Sequence, residues 1–170
     1  MRHRGRGIGR GIARHLGKHG ATIAVAEHRK HRLDEVIAEL DSMGVPNLGV
    51  ECDVGSRDSV FAMVAEAAGS FGRVDGIVNN AQSFVSAKPL EEVNESEMDL
   101  LYRTGPNGTL WAMQAVFPHM KEQGWGRIVN VASANGIRGA AGFGPYNASK
   151  YAVVGISETL VRTAVSRLVA

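Results

Sequence analysis

The sequence is poor in cysteine and lacks long apolar runs. Cys52 is the single cysteine among 170 residues, which excludes a disulfide framework within the chain and suits a reducing, cytoplasmic location. No apolar run approaches the roughly 20 residues that a membrane helix needs, so we expect no membrane partner. With 44% hydrophobic residues and a mean hydropathy of −0.09, the chain can form one packed domain over residues 1–170.

Acidic and aromatic residues are scarce at the start of the chain. Residues 1–32 hold nine Lys or Arg against the single acid Glu27, although the formal net charge of the whole is only +2. Such a basic segment is compatible with a mitochondrial presequence, a nucleic-acid patch, a field around a phosphate site or a solvated helix. Glycines at positions 5, 7, 9 and 11 weaken a presequence helix. Residues 1–60 contain no Phe, Trp or Tyr, which disfavours nucleic-acid binding. We therefore prefer the interpretation that the basic residues surround a phosphate site.

The segment also lacks a strand where one is expected. Arg6, Gly7, Ile8 and Gly9 have the form of a glycine-rich turn that cradles a dinucleotide phosphate. Such a turn follows a β-strand and leads directly into a helix. Only five residues precede Arg6, too few for that strand.

Hydrophobic periodicity predicts an alternation of strands and helices. Short apolar runs typical of buried strands occur at 21–27, 48–54, 74–81 and 127–133. Helical patterns occur at 8–19, 33–40, 56–71, 94–122 with a break at Gly105–Pro106, and from about Tyr146 onward. We expect the 21–27 strand to be buried on both faces and Ser56 to cap its helix. The alternation predicts one α/β domain, a doubly wound parallel sheet with helices on both faces.

Two residues in the C-terminal part of the sequence are the candidate catalytic residues. Tyr146 and Lys150 are four residues apart at the start of a predicted helix, so their side chains share one face. An ammonium beside a phenol favours the phenolate, which makes the pair a workable proton donor and acceptor for alcohol–carbonyl interconversion. Ser133 ends the preceding strand and is placed to hydrogen-bond the reacting oxygen. Taken alone, the Tyr–Lys pair also fits an ordinary surface helix.

Four features occur together and in order. They are GRGIG at 5–9, NNA at 79–81, Ser133, and YNASK at 146–150. This ordered set resembles the short-chain dehydrogenase/reductase family from about Gly5 to about Thr163. The resemblance implies a Rossmann-like three-layer fold and hydride transfer between a nicotinamide cofactor, NAD or NADP, and a secondary alcohol or ketone.

The resemblance also implies a role for each matching residue. Tyr146 is the expected general acid/base, Lys150 its partner and a ligand of the nicotinamide ribose, and Ser133 the substrate-orienting hydroxyl. Asp53 is expected to hold the adenine amino group. The full set of expected cofactor-binding residues is Arg6, Gly7, Ile8, Gly9, Glu27, Asp53, Val54, Asn80, Ala81, Tyr146 and Lys150.

The choice between NAD and NADP stays open, with a slight preference for NAD. Glu27 ends the second strand of the expected fold, where a carboxylate accepts hydrogen bonds from ribose hydroxyls and repels a 2′-phosphate. Arg6, His28 and Arg29 lie close enough in sequence to favour that phosphate instead. No metal site is expected.

Two internal positions depart from the family pattern. Gln82 stands where the family has a glycine, and we expect its amide either to contact polar groups of the substrate or to be a tolerated loop substitution. Gly105 stands where the family has a catalytic asparagine in the long helix. Pro106 cannot donate to the carbonyl of Tyr102 and should kink the helix. We hypothesise that this carbonyl holds the water of the proton relay; a kink without catalytic meaning is the alternative.

The larger departures are at the two ends. The family's Thr-Gly pair would fall at Arg2 and His3, and the first strand, central in the family sheet, is absent before it. Two further strands that follow the Tyr–Lys helix in the family are also absent. We therefore expect an internal piece of a longer enzyme, with unpaired backbone groups on either side of the missing strand. A catalytically inactive fragment or non-catalytic binding module is the alternative function.

The expected partners follow from the same resemblance. They are a small-molecule alcohol or carbonyl substrate and a second copy of the chain, with no nucleic acid. Self-association would use the helices at 94–122 and 146–167.

Overall fold

The computed structural model describes residues 7–168, with side chains described through residue 160. Among these described residues, six α-helices alternate with four strands. The helices are α1 Ile8–Lys18, α2 Lys30–Ser42, α3 Arg57–Phe71, α4 Glu95–Tyr102, α5 Gly108–Gln123 and α6 Gly144–Leu168. The strands are β1 Ile23–Glu27, β2 Asn47–Glu51, β3 Gly76–Asn79 and β4 Arg127–Asn130. The predicted alternation is confirmed.

The strands form two separate parallel pairs. β1 pairs with β2, with Ile23 opposite Asn47, and β3 pairs with β4, with Gly76 opposite Arg127. In the part of the chain that the structure describes, no strand joins the two pairs. This is the arrangement expected of a doubly wound sheet without its central strand, and it confirms the predicted fold class.

Backbone hydrogen bonds show which residues of β1 and β3 point away from their partners. The N–H of Ile23 donates to Pro46, and the carbonyl of Glu27 accepts from Cys52. The backbone N–H and C=O groups of successive residues point to alternate sides of a strand. Those of Ala24 and Ala26 therefore point away from β2. The carbonyls of Asp75 and Asn79 accept from β4 and its extension, so by the same rule Gly76 and Val78 point away from β4.

Each strand pair has its own helical cover. Helices α1 and α2 pack on β1 around Ile23, Leu40 and Val45. Helices α3 and α5 pack on β3 and β4 around Val64, Ala115, Val116 and Met120. A third cluster, formed by Cys52, Val60 and Ala112, connects the end of β2 to α3 and α5.

The expectation that β1 is buried on both faces is wrong. Ala24 and Ala26 are exposed. Helices α1 and α2 cover the face that carries Ile23 and Val25, whereas α3 contacts the neighbouring strand β2. The apolar run therefore forms a strand with one face that none of the described helices covers.

Helix boundaries follow local capping chemistry. Ser56 accepts a hydrogen bond from the N–H of Ser59 and begins α3, as predicted. Asn94 and Glu97 form a capping box at the start of α4. Gly72 and Gly124 end α3 and α5 in the left-handed conformation that glycine adopts without strain.

The predicted break in the long helix is present but is not a simple kink. Residues Arg103–Asn107 form one turn of π-helix between α4 and α5. Within it the N–H of Gly108 donates to the carbonyl of Arg103, five residues earlier. Pro106 lacks an N–H, and the wider turn accommodates the missing donor within a continuous helical path.

Two further findings concern the described residues. None of their helices is both long and apolar enough to cross a membrane. None of their His, Cys, Asp and Glu side chains form a group of three or more that could hold a metal ion.

Candidate active site

The expected site residues follow the C-terminal ends of the four strands. Glu27 is the last residue of β1, Asp53 follows β2, Asn80 follows β3 and Ser133 follows β4. In open parallel α/β sheets, ligands bind beside these strand ends. The topology therefore places residues that are far apart in sequence along one edge of the domain.

Helix α1 begins at this edge. Gly7 is its N-cap in extended conformation, without a side-chain cap, and its first turn has no acidic residue. A Cβ on Gly9 would lie 3.0 Å from the Asn80 side-chain nitrogen, so the first turn of α1 lies against the residue that follows β3. The helix N-terminus thus presents backbone N–H groups where an anion is favoured. Arg6 lies outside the described residues.

Asp53 and Val54 have different surroundings. Asp53 is exposed, and its Oδ1 accepts a hydrogen bond from Gly55 at 2.8 Å. The Asp53 N–H donates to Ser59 Oγ at 3.0 Å, which fixes the turn that leads from β2 into α3. Val54 packs against the cluster of Cys52, Val60 and Ala112.

The carboxylate of Glu27 is paired with its basic neighbours. Its Oε1 accepts from the backbone and the side chain of Arg29, both at 3.1 Å, and lies 3.2 Å from His28 Nδ1. Partial burial raises the pKa of Glu27, but the hydrogen bonds from Arg29 and the nearby charges of Arg29 and His28 outweigh it, so the pKa is lowered. The same three residues therefore form one local cluster at the end of β1.

Two links hold the Ser133 segment against the start of α6. Before Ser133, the Val131 carbonyl accepts from Lys150 Nζ at 2.8 Å. After Ser133, the Asn135 side chain donates to Asn147 Oδ1 at 2.8 Å. Ser133 itself accepts from the N–H of Asn135 at 3.2 Å. The serine therefore lies in a short segment that is attached on both sides to the turn carrying Tyr146.

Tyr146 and Lys150 are close together, as their spacing requires. Lys150 Nζ lies 5.6 Å from the centre of the Tyr146 ring. The Lys150 side chain is buried, with 5% of the residue exposed, and this burial lowers its pKa. Tyr146 is half-buried, and the ring of Phe84 meets it edge-on at 5.5 Å between centroids.

Gln82 turns towards the helices. Its Nε2 donates to Ser149 Oγ at 2.8 Å and lies 3.4 Å from the Leu101 carbonyl. Ala81, which precedes it, is exposed. Gln82 therefore connects the loop after β3 to α4 and α6.

Asn79 belongs to the NNA motif singled out in the sequence, but its partners Asn130 and Ser157, and the buried Ser149, were not anticipated. Asn79 donates to Asn130 Oδ1 at 2.8 Å, and Asn130 donates to Ser157 Oγ at 2.8 Å, which joins β3, β4 and α6. Ser149 is completely buried beside Lys150. The available sequence signal was that the strand-like runs 74–81 and 127–133 each contain an asparagine, and the structure places these two residues, Asn79 and Asn130, opposite each other in register.

Comparisons with known proteins found similar sequences over most of the chain. The family model described as "short chain dehydrogenase" matches residues 4–169. An uncharacterized oxidoreductase, YxjF, of Bacillus subtilis is 34% identical over 152 residues, covering 89% of this chain and 59% of that protein. The 3-oxoacyl-(acyl-carrier-protein) reductase FabG of Staphylococcus epidermidis is 34% identical over 163 residues, covering 95% of this chain and 66% of that protein.

A solved structure is also similar. The crystal structure of NAD+-bound xylitol dehydrogenase superposes with a TM-score of 0.88 and 29% sequence identity. The superposition covers 92% of this chain and 60% of that one. The chain thus spans between 59% and 66% of the length of these three proteins.

Proposed function

Since the chain belongs to the short-chain dehydrogenase family, we propose that it carries the catalytic residues of an NAD(P)-dependent oxidoreductase. The reaction class is the interconversion of a secondary alcohol and a ketone. Relatives of related chemistry support it, because FabG is named a reductase and the similar solved structure is named a dehydrogenase bound to NAD+.

The observation that carries the proposal is the position of Lys150. Its ammonium is held by the Val131 carbonyl and lies 5.6 Å from the Tyr146 ring. With this ammonium fixed beside its ring, the Tyr146 hydroxyl would give a proton to a carbonyl oxygen and take it back in the reverse direction. Ser133 Oγ would hydrogen-bond the same substrate oxygen and orient it.

The residues present fit a nicotinamide dinucleotide. The uncapped N-terminus of α1 at Gly7 and Ile8 would meet the pyrophosphate, with Gly9 leaving room beside Asn80. Asp53 and Val54 would hold the adenine, and Asn80 and Ala81 the adenine ribose. Tyr146 and Lys150 would bind the nicotinamide ribose. When bound, the cofactor supplies or accepts the hydride.

For the cofactor preference we propose NAD. Glu27 stands at the end of β1 as a carboxylate whose pKa is lowered, so it is ionised at neutral pH and repels a 2′-phosphate. Arg29 and His28 contact Glu27 itself, which partly neutralises the charge that would attract such a phosphate.

A second candidate is a binding module without turnover. The separation of β1–β2 from β3–β4 within the described residues favours it, because unpaired strand edges weaken the rigidity that catalysis needs. In this case the chain alone would neither hold the dinucleotide nor transfer a hydride.

The experiment that distinguishes the two follows nicotinamide absorbance with a panel of secondary alcohols and ketones. The oxidoreductase proposal predicts turnover by the wild type and its loss in Tyr146→Phe, with cofactor affinity lowered only by the loss of one ribose contact. Tyr151→Phe is the matched control, because Tyr151 is on the same helix and 48% exposed. Turnover that is equal in both variants would contradict the role of Tyr146.

Self-association and location complete the proposal. Exposed apolar side chains lie on the helical stretches 94–122 and 146–167 at Leu100, Tyr102, Leu110 and Tyr151, and we propose that a second copy covers them. The buried thiol of Cys52, whose pKa is raised by burial, suits a reducing cytoplasm.

A further inference from the structure

Gln82 makes contacts that join three segments. Its amide nitrogen donates to Ser149 Oγ in α6 at 2.8 Å and approaches the Leu101 carbonyl in α4 at 3.4 Å. It also lies over the π turn, since a Cβ on Gly105 would be 2.6 Å from this nitrogen. One side chain therefore touches α4, the π turn and α6.

The space that Gln82 fills exists because residue 105 is glycine. A Cβ at 105 would be too close to both Nε2 and Cδ of Gln82, at 2.6 and 2.9 Å. Gly105 is buried within the π turn, so the backbone has little room to move away. Gln82 and Gly105 are thus a complementary pair, and they are also the two internal positions that depart from the family pattern.

Ser149 links Gln82 to the turn of α6 that carries Tyr146 and Lys150. Its hydroxyl accepts from Gln82 and donates to the Tyr146 carbonyl at 2.8 Å. Ser149 is fully buried and is followed directly by Lys150. The chain of contacts runs from the π turn through Gln82 and Ser149 to the backbone of Tyr146.

We propose that Gln82 is a positioning residue that holds the first turns of α6, and with them Tyr146 and Lys150, against the π turn. The proposal rests on the function proposed above. The buried Oε1 of Gln82 has no hydrogen-bond partner among the described residues, and an unpaired buried carbonyl destabilises a fold. A leucine at position 82 would fill much of the same space without leaving a buried carbonyl unpaired. What the Gln82 amide adds over leucine is therefore its hydrogen bond between the loop after β3 and α6.

The test replaces the amide while keeping the volume. In Gln82→Leu, kcat falls about fivefold, the factor that one ordinary intramolecular hydrogen bond corresponds to, while the cofactor Kd stays within about twofold. The matched control is Gln123→Leu, because the Gln123 amide also bridges backbone groups, at Val74. Equal kcat values in the two variants would overturn the proposal.

A double-mutant cycle tests the complementary pair. Gly105→Ala should lower kcat in the presence of Gln82, because the new methyl group displaces the amide. In a Gln82→Ala background the same substitution should have a smaller effect, since the space is then open. Additive effects of the two substitutions would overturn the pairing.

A readout that does not depend on turnover separates this inference from the proposed function. Backbone amides of residues 148–153 should exchange hydrogen about fivefold faster in Gln82→Leu than in wild type, and at the wild-type rate in Gln123→Leu. Unchanged exchange overturns the positioning role even if the enzyme is active. Faster exchange in a protein without turnover supports that role while refuting the oxidoreductase proposal. If Gln82→Leu does not fold, Ser149→Ala removes the next contact and is judged by the same two outcomes.

Discussion

Lys150 Nζ donates a hydrogen bond to the backbone oxygen of Val131 at 2.8 Å. This contact joins α6 to the extension of β4 across 19 positions of the sequence. It orients the ammonium beside Tyr146 and fixes the backbone two residues before Ser133. The Lys150 side chain is buried where it makes this contact, so its charge affects the stability of the fold.

The first prediction concerns the pH dependence of Lys150→Met. Burial lowers the pKa of Lys150 below its usual 10.5, so between the lowered pKa and 10.5 the unfolded chain binds more protons than the folded one. Wild-type stability therefore rises with pH in that window relative to the methionine variant. Below the lowered pKa the cost of the buried charge is fully present.

The measurement is urea unfolding of both proteins from about pH 7 to about pH 10. The free energy of unfolding of wild type minus that of Lys150→Met should increase as pH rises. Lys121→Met, at an exposed position of α5, controls for the loss of one positive charge. A constant or decreasing difference would contradict the buried ammonium.

The second prediction concerns the strand edges that face away from their partners. Amides of Ala24, Ala26 and Val78 should exchange hydrogen faster than those of Val25 and Ile77, which point towards β2 and β4. Lost pairing exposes an amide to solvent, so a difference of about tenfold or more is expected. Residue-resolved exchange by NMR measures it, with the alternate residues of each strand as internal controls. Equal protection along each strand would show that these edges are paired.

The third prediction concerns cofactor preference. Glu27→Ala should raise the affinity for NADPH relative to NADH about tenfold, as expected for removing a charged contact of about 1.5 kcal/mol. Fluorescence titration with both cofactors measures the ratio. Glu51→Ala is the matched control, because Glu51 ends β2 opposite Glu27 in register. An unchanged ratio in Glu27→Ala would count against the preference for NAD.

The fourth prediction concerns the π turn. Pro106→Ala supplies a backbone N–H that can donate to the Tyr102 carbonyl and convert the π turn to regular α-helix. If that carbonyl holds the relay water, kcat should fall about tenfold while KM changes little. Pro118→Ala, in the same helical stretch within α5, is the control. Full activity of Pro106→Ala would refute the relay hypothesis.

Local patterns in the sequence were sufficient for the order of elements. The period of apolar residues identified helices and strands, Ser56 identified the start of α3, and Gly105–Pro106 identified the break. The strand predicted at 48–54 ends at Glu51, because Asp53 accepts from Gly55 and turns the chain. Such side-chain contacts decide element ends more than periodicity does.

Long-range contacts were not predictable in the same way. The exposure of Ala24 and Ala26 depends on which helices cover β1, and apolarity alone does not encode it. The contact of Gln82 with Gly105 joins residues that look like unrelated departures from a pattern. Only the folded chain brings them together. The sequence left Gln82 as either a substrate contact or a tolerated loop substitution and did not predict its contact with Ser149.

The central claim is that the N-terminus of α1, the strand ends and the Tyr146–Lys150 turn form one dinucleotide site. Isothermal titration of the wild-type chain with NADH tests it most directly. The account predicts saturable binding of one NADH per chain, weakened in Asp53→Ala and accompanied by thermal stabilisation of about 2.7 kcal/mol at a ligand concentration of about 100 Kd. A flat titration and an unchanged melting temperature would contradict it.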